Sequence, residues 1–595
     1  MNIFSKYSKY PWGPQDEKNL GTFISHKKKQ EIFKSYEETI NDFAELVHRR
    51  YIPNYCLGSG SRYLFLAGKQ IPNILFKTLV MQEVSREAQR KVVLDCYAEE
   101  LNYFDNEENV NRFACIYALI AGELPSLFNV RNIGNYSSPL SGKSGGPTKN
   151  VILRVVNLPP RVILYNIKKR LGRSPFLSSR KTILVAGRNG LIDEILSRSS
   201  RHFNYLNILP ELEKEYKSAP TNKLITFGLL TKDFDSCFEG FSEKIGMESS
   251  FYQAFRNVVL RSFHFRLNKL AACELPLSEE VKKLKKSVGA EILLCGGLYQ
   301  NFGVAVFNAM KRNNITVLTA EHGITAGLSR WRQDTVNYYE PRTADYVLSY
   351  NKSASRTFLS SANKNIRCVE CGAPNETKTV RYYSVQRWIS RMRLNVKGSV
   401  VYYISSNLLV NNQGYFPNYM PDHMRFKTEK ELLKNVFPKV NKQIVYKTYP
   451  SQNYLYQENP YLRLAKSTPN IVVAPDEDFR YGRAAADILI TSKAFSTLGW
   501  CIGTNVPIVF LDSSIYHSLA NEQIKDVFLR SFFYFDTDIV GWQRDLMNLL
   551  NKPMEEIRAN WEGMKQYREM YDEEFFLSKR KDAGCIGASF IKGIL

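Results

Sequence analysis

The chain has 595 residues, 44% of them apolar and 23% charged, enough for several hydrophobic cores and roughly three or four domains. No apolar run approaches the ~18 residues of a membrane span, and Met1 to Gly21 lack the apolar stretch of a secretory signal. The net charge of +23, from 81 basic and 58 acidic residues, points to anionic partners: nucleic acid, a membrane surface or phosphorylated substrates.

Ten cysteines are scattered, and the close pair Cys368–Cys371 has no second such pair to complete a four-ligand zinc site. Reduced, mostly buried thiols are therefore expected. The 35 tyrosines and 35 phenylalanines suit stacking on bases or sugars, but most are expected to fill cores.

Residues 1–60 are polar and basic, with His26-Lys27-Lys28-Lys29 read as a solvated helix face or, alternatively, a lipid contact. Helical spacing runs over 32–46, and 70–125 reads largely helical, with 84–101 the longest candidate. Ser141-Gly142-Lys143-Ser144 is not a phosphate loop, because Ser137 stands where that loop needs glycine. It reads as a connector, followed by short strands at 151–156 and 161–165 around Pro159-Pro160.

An α/β pattern begins at Lys181. Thr182 to Ala186 reads as a strand, Gly187-Arg188-Asn189-Gly190 as a tight turn and Leu191 to Leu196 as a helix start. This is half of a dinucleotide fingerprint without its third glycine. Further strands are predicted at 224–227 and 291–294, with a helix over 249–270 carrying Arg256, Arg261, Arg266 and Lys269. Gly296 and Gly297 follow a strand directly, so their backbone can approach an acceptor or an anion.

The segment 314–353 organises the rest. Ile315 to Leu318 reads as a buried strand that ends in Glu321-His322-Gly323, and Tyr346 to Ser349 reads as its successor. Ligands of open α/β sheets bind at such strand ends, and Gly323 beside the reactive His322 allows close approach. A strand over 366–370 leads into Gly372-Ala373-Pro374, and 377–395 is a basic crossover helix or linker. A second series of strands follows at 400–405, 443–446, 470–473, 486–490 and 506–510. Their spacing, with helical segments between, indicates a parallel sheet. Residues 554–579 read as one long charged helix with Ile557, Trp561, Met564 and Tyr567 on one face. Asp536-Thr537-Asp538 has the spacing of a metal-binding pair, but no metal is assigned to it.

The order of Glu321-His322-Gly323, Ala344 to Ser349, Gly372-Ala373-Pro374, Ala486 to Thr497 and Pro507 to Phe510 resembles a family. It is that of bacterial surface-polysaccharide glycosyltransferases with the GT-B fold, related to the poly(glycerol phosphate) glycerophosphotransferase-like superfamily. The resemblance covers roughly residues 290–515. It implies an α/β, GT-B-like fold of two facing Rossmann-like domains, here with an additional mainly helical N-terminal region. The expected boundaries are 1–179 for an accessory region and 180–395 for the acceptor-side domain. The donor-side domain is expected over 396–550, and a C-terminal helix packing back over 551–595.

The implied activity moves a sugar from a nucleotide-activated donor to a saccharide or lipid-linked saccharide acceptor, without cofactor or metal. A glycerophosphotransferase is the alternative within the superfamily, and a nucleic-acid-binding non-enzyme the alternative outside it. His322 is the expected base, with Glu321 as second candidate. Ser496 and Thr497 at a helix start, with Ser492, Lys493, Lys447 and Arg480, are expected on the donor phosphate. Asp478 and Glu477 are expected on the nucleotide or ribose, and Gly296, Gly297 and Gly323 where backbone approaches ligand. A cytoplasmic enzyme peripheral to an anionic inner membrane face accounts for the charge, and no specific nucleic acid is expected.

Overall fold

The computed structural model describes residues 24, 26–55, 70–88, 91–96, 116–132, 180–219, 225–298, 300–330, 340–361, 366–405, 420, 422–448, 460–474, 478–492, 494, 496–516 and 518–595. The connector at 141–147 and the strands expected at 151–156 and 161–165 lie outside them.

The chain begins with α1 (His26–Tyr51), α2 (Gln70–Glu87), β1 (Val92–Cys96), α3 (Ile116–Gly122) and β2 (Phe128–Asn132), the two strands pairing in parallel. The helix expected over 84–101 is corrected here. It stops at Glu87, and the β-branched Val92-Val93 continue as strand.

The first large sheet is built from β3 (Thr182–Ala186), α4 (Gly190–Ser199), β4 (Asn204–Asn207), α5 (Leu209–Ser218), α6 (Phe227–Lys244), α7 (Ser249–Val288), β5 (Ile292–Cys295), α8 (Gln300–Arg312), β6 (Thr316–Ala320), β7 (Tyr346–Ser349), α9 (Lys352–Ser361) and β8 (Arg367–Glu370). Its strand order is β4-β3-β5-β6-β7-β8, all parallel. Of the strand expected over 224–227, residues 225–227 are not strand, because Phe227 opens α6. The helix expected to end at Leu270 runs to Val288 through Pro276.

A crossover, α10 (Asn375–Lys378) and α11 (Tyr383–Leu394), leads into the second sheet. That sheet comprises β9 (Val400–Ile404), α12 (Asp422–Glu431), β10 (Gln443–Lys447), α13 (Pro460–Lys466), β11 (Ile471–Val473), α14 (Phe479–Gly482), β12 (Ile488–Thr491), α15 (Ser496–Ile502), β13 (Ile508–Asp512), α16 (Glu522–Ser531) and β14 (Phe533–Asp536). The order β11-β10-β9-β12-β13-β14 is that of a Rossmann sheet, with its switch point between β9 and β12. In place of one long helix over 554–579, α18 (Met554–Gly563), α19 (Lys565–Met570) and α20 (Asp572–Phe575) follow α17 (Trp542–Asn551) as separate turns, and α21 (Ala583–Ile594) ends the chain. The architecture is GT-B-like: two Rossmann-like sheets with a mainly helical N-terminal addition.

The phenylalanines explain that addition. Phe43 on α1 meets Phe234, Phe238 and Phe263 with ring centroids 5.2, 5.8 and 5.5 Å apart, and Phe234 stacks on Phe238 at 4.2 Å. This core continues onto one face of the first sheet through Leu184, Leu293 and Val317. These rings are therefore committed to packing. The cations of α7 are engaged too: Arg256 pairs with Asp235, Arg261 with Glu123, and the Lys269 ammonium donates to the carbonyls of Lys217 and Ala219.

Both sheets use one device at their N-terminal edge. Asp345, just before β7, accepts the Val317 amide of β6 at 2.8 Å and pairs with Lys311 at 2.6 Å. Asp487, just before β12, accepts the Val400 amide of β9 at 2.9 Å and pairs with Arg387 and Arg391 of α11 at 2.6 and 2.5 Å. The two Ala-Asp motifs thus staple neighbouring strands at the edge opposite the strand C-termini.

The C-terminal segment returns to the first sheet. Asn351 donates to the Phe575 and Phe576 carbonyls at 3.1 and 2.9 Å, and the Ala373 amide donates to Leu577 O at 2.9 Å. Helix α21 lies on α4, where an added methyl at Gly584 would stand 3.0 Å from Glu194 Cβ.

Glu194 is 8% exposed and accepts the Asn375 amide, and its other oxygen has no partner. Burial pushes its carboxyl up to about 7, with Lys378 opposing and Glu376 and Asp582 adding to the shift. The unfolded group titrates near 4.5, so between 4.5 and about 7 the native state binds more protons than the unfolded one. This contribution to stability therefore falls as pH rises through that window. Glu194→Gln is expected to flatten the dependence and to gain up to about 3 kcal/mol at pH about 8. Melting curves of the two proteins at several pH values check this, and parallel curves would refute it.

Candidate functional site

The C-terminal ends of the two sheets meet. After β6 the chain passes through Glu321, His322 and Gly323, and after β12 it reaches α15. An added methyl at Gly323 would stand 2.5 Å from Ser496 Cβ and 2.9 Å from Ser496 Cα, so only glycine permits this approach. One turn on, Gly499 lies against Ile324, at 3.2 Å from an added methyl. The contact continues where Arg330 donates to Ser518 O at 3.1 Å and Ala520 to Leu328 O at 2.8 Å.

From this junction the first-sheet side extends through Asn189. Its oxygen caps α4 by accepting from Ile192 N at 3.0 Å. Its amide nitrogen donates to the Ala320 and Glu321 carbonyls at 3.2 Å each. Gly187 turns with φ of 72°, and Gly296 lies beside Asn189, 3.7 Å from an added methyl. Gly297 takes φ of 111°. Gly187 and Gly296 terminate β3 and β5, the strands at the switch point of the first sheet.

His322 is exposed, whereas Glu321 is 1% exposed and accepts the Tyr350 amide at 2.6 Å. Glu321 faces the interior and holds the loop from which His322 projects. Ser496 and Thr497 are half-buried at the start of α15, which spans seven residues. So short a helix has little dipole, and the two hydroxyls are its main chemical offering.

Arg480 and Asp478, expected on the phosphate and the ribose, lie side by side. They pair with each other, Nη2 to Oδ2 at 2.7 Å and Nε to Oδ1 at 3.1 Å, and Asp478 caps α14. That pairing holds the Arg480 guanidinium above its ordinary value. Glu376 on the crossover is pushed up by burial and opposed by Arg480 and Arg483. Its carboxylate fills the space beside Gly190. Arg480 and Asp478 therefore lie on the side of the second sheet that faces Glu376 of the crossover.

Arg483, 1% exposed, donates to the carbonyls of Glu376, Thr377, Thr379 and Trp500 and so clamps the crossover onto α15. Burial brings its guanidinium down to about 10. Lys447 is buried at the end of β10, donating to Thr448 O at 3.0 Å, and Ser492 is half-buried at the end of β12. Lys493 and Glu477 lie outside the described residues.

Asn189, Glu376 and Arg483 had no role in the sequence reading. Asn189 alone left a local signal, an asparagine between a strand and a helix, where caps occur.

Asp536 and Asp538 accept the Ser514 and Ile515 amides at 3.1 and 3.0 Å, and Asp538 also accepts the Ser513 hydroxyl at 2.6 Å. Both thus order the loop after β13. The Cys368 and Cys371 thiols are pushed up to about 12 by burial. A separate pocket beside Ile508 and Trp561, with the cations Lys565, Arg568, Lys579 and Arg580 outnumbering the carboxylates Glu569 and Asp572, lies at the N-terminal end of β13.

The chain matches no protein-family model and no curated protein. Among solved structures it is similar to the UDP-GlcNAc 2-epimerase of Neisseria meningitidis bound to UDP-GlcNAc, at 10% identity and a TM-score of 0.37, over 70% of this chain and 99% of that one. It is also similar to Anabaena HepE in complex with UDP and glucose, at 11% identity, TM-score 0.38 and the same coverage. S. aureus MnaA with UDP follows at 12% identity and TM-score 0.37, over 70% of this chain and 96% of that one.

Proposed function

We propose that the protein is a glycosyltransferase that moves a sugar from a nucleotide-activated donor to a surface polysaccharide or lipid-linked saccharide, at the cytoplasmic face of the membrane. The observation that carries this reading is the packing of Gly323 against Ser496, which brings His322 and the Ser496-Thr497 pair to one junction between two Rossmann-like sheets.

Sugar transfer without a covalent intermediate needs a base for the acceptor hydroxyl and neutralisation of the departing phosphate. His322, exposed beside the junction, takes the acceptor proton. Glu321 and Asn189 position its loop. The hydroxyls of Ser496 and Thr497 donate to the donor phosphate, joined by Ser492 and Lys493. Lys447 and the Arg480–Asp478 pair supply charge and a ribose contact, with Glu477 in the same role. Gly296 and Gly297 leave backbone open to the ligand.

Ser496→Ala/Thr497→Ala is expected to weaken nucleotide binding, since each lost hydrogen bond to a charged group costs about 1.5–3 kcal/mol. Titration calorimetry with UDP, GDP, CDP and CMP checks this. Unchanged affinity of the bound nucleotide in the double variant would reduce the pair to a helix cap.

A further inference from the structure

Helix α11 buries Gln386, Ser390 and Leu394 against the second sheet's flank and turns a different set of residues outward. Val385, Trp388 and Met392 follow the i, i+3, i+7 spacing of one helix face and are 50%, 62% and 61% exposed. Tyr382, one turn earlier, is 65% exposed. These four exposed side chains form an apolar ridge.

The charges that this segment itself carries have one sign. From Arg381 to Lys397 the chain holds five basic residues and no acidic one. Arg387 and Arg391 turn inward to Asp487, while Arg381, Arg393 and Lys397 are exposed. Arg558 of α18 reaches the same aspartate.

We propose that this face of α11 docks the protein on an anionic lipid bilayer. Tyr382, Val385, Trp388 and Met392 enter the interfacial layer, and Arg381, Arg393 and Lys397 meet the headgroups. An aromatic and apolar ridge rimmed by cations is the composition of interfacial helices. A second copy of the chain fits less well, because a two-fold contact would set like cations against each other. Among the described residues no helix is long and apolar enough to cross a membrane, so attachment of this kind lies in the interface plane. The inference deepens the proposed placement at the membrane face, and its test, run without donor, is read independently of the transfer reaction.

The test is co-sedimentation of the full chain with vesicles of phosphatidylcholine, with and without phosphatidylglycerol, at low and high salt and without donor. Wild-type protein is expected on the anionic vesicles at low salt and less at high salt. Val385→Ser/Trp388→Ser/Met392→Ser should lower partitioning by roughly tenfold or more. Arg381→Gln/Arg393→Gln/Lys397→Gln should lower it by roughly fivefold per cation.

No wild-type binding to anionic vesicles, or wild-type-like binding of either variant, overturns the proposal. So does a wild-type dimer that the serine variant disperses, which would make the ridge a contact between copies. If the serine variant melts early, Trp388→Phe alone decides: quenching by brominated lipid should fall relative to wild type, and unchanged quenching overturns the proposal.

Discussion

Replacing His322 with alanine is expected to lower turnover by roughly 10²- to 10⁴-fold while nucleotide binding changes little. The imidazole stands on a loop whose carbonyl positions are fixed by Asn189 and whose preceding residue, Glu321, is held by the Tyr350 amide. Its removal leaves that support intact, so folding should be preserved. A base acts on the acceptor proton in the transition state, and its loss therefore appears in kcat more than in donor affinity. Full turnover of a folded His322→Ala protein would end the assignment, because Glu321 is buried and committed to the Tyr350 amide.

The largest expected stability effect is at Asp487. Its carboxylate is 6% exposed, accepts the Val400 amide and faces Arg387 and Arg391. Asp487→Ala leaves two half-buried guanidiniums beside each other and an amide without its acceptor. Breaking such a cluster costs about 3–5 kcal/mol. The equivalent Asp345 has a 30% exposed side chain and one lysine, so Asp345→Ala should cost clearly less. Urea unfolding of both variants measures the difference, and equal losses would contradict the distinction drawn from burial.

Where the chain's local pattern was unambiguous, it located the elements closely. Thr182–Ala186 and Tyr346–Ser349 are strands at the expected residues. Both are apolar runs buried between helices, and their composition records that burial. The edge strands β4 and β14 escaped notice because they are half-buried and carry polar or aromatic residues that read equally as loop. The short apolar run at 225–227 was ambiguous in period, and its context made it a helix entry.

The site was legible only in halves. Glu321-His322-Gly323 and Ser496-Thr497 each stood out as a strand-end or helix-start signal. Nothing local could reveal why residue 323 must be glycine, because the reason is a side chain 173 positions away, at Ser496. The same holds for Arg483, whose partners lie on the crossover and on α15. The Ala-Asp motifs were visible as patterns, yet their aspartates serve strand pairing at the far edge of each sheet.

The most direct test of the account is a crystal structure of the full chain with whichever of UDP, GDP, CDP or CMP binds in calorimetry. The account predicts phosphate oxygens within hydrogen-bond reach of the Ser496 and Thr497 hydroxyls, with the His322 imidazole across the same junction. A nucleotide seated elsewhere, for example in the basic pocket beside Trp561 and Arg568, would contradict it.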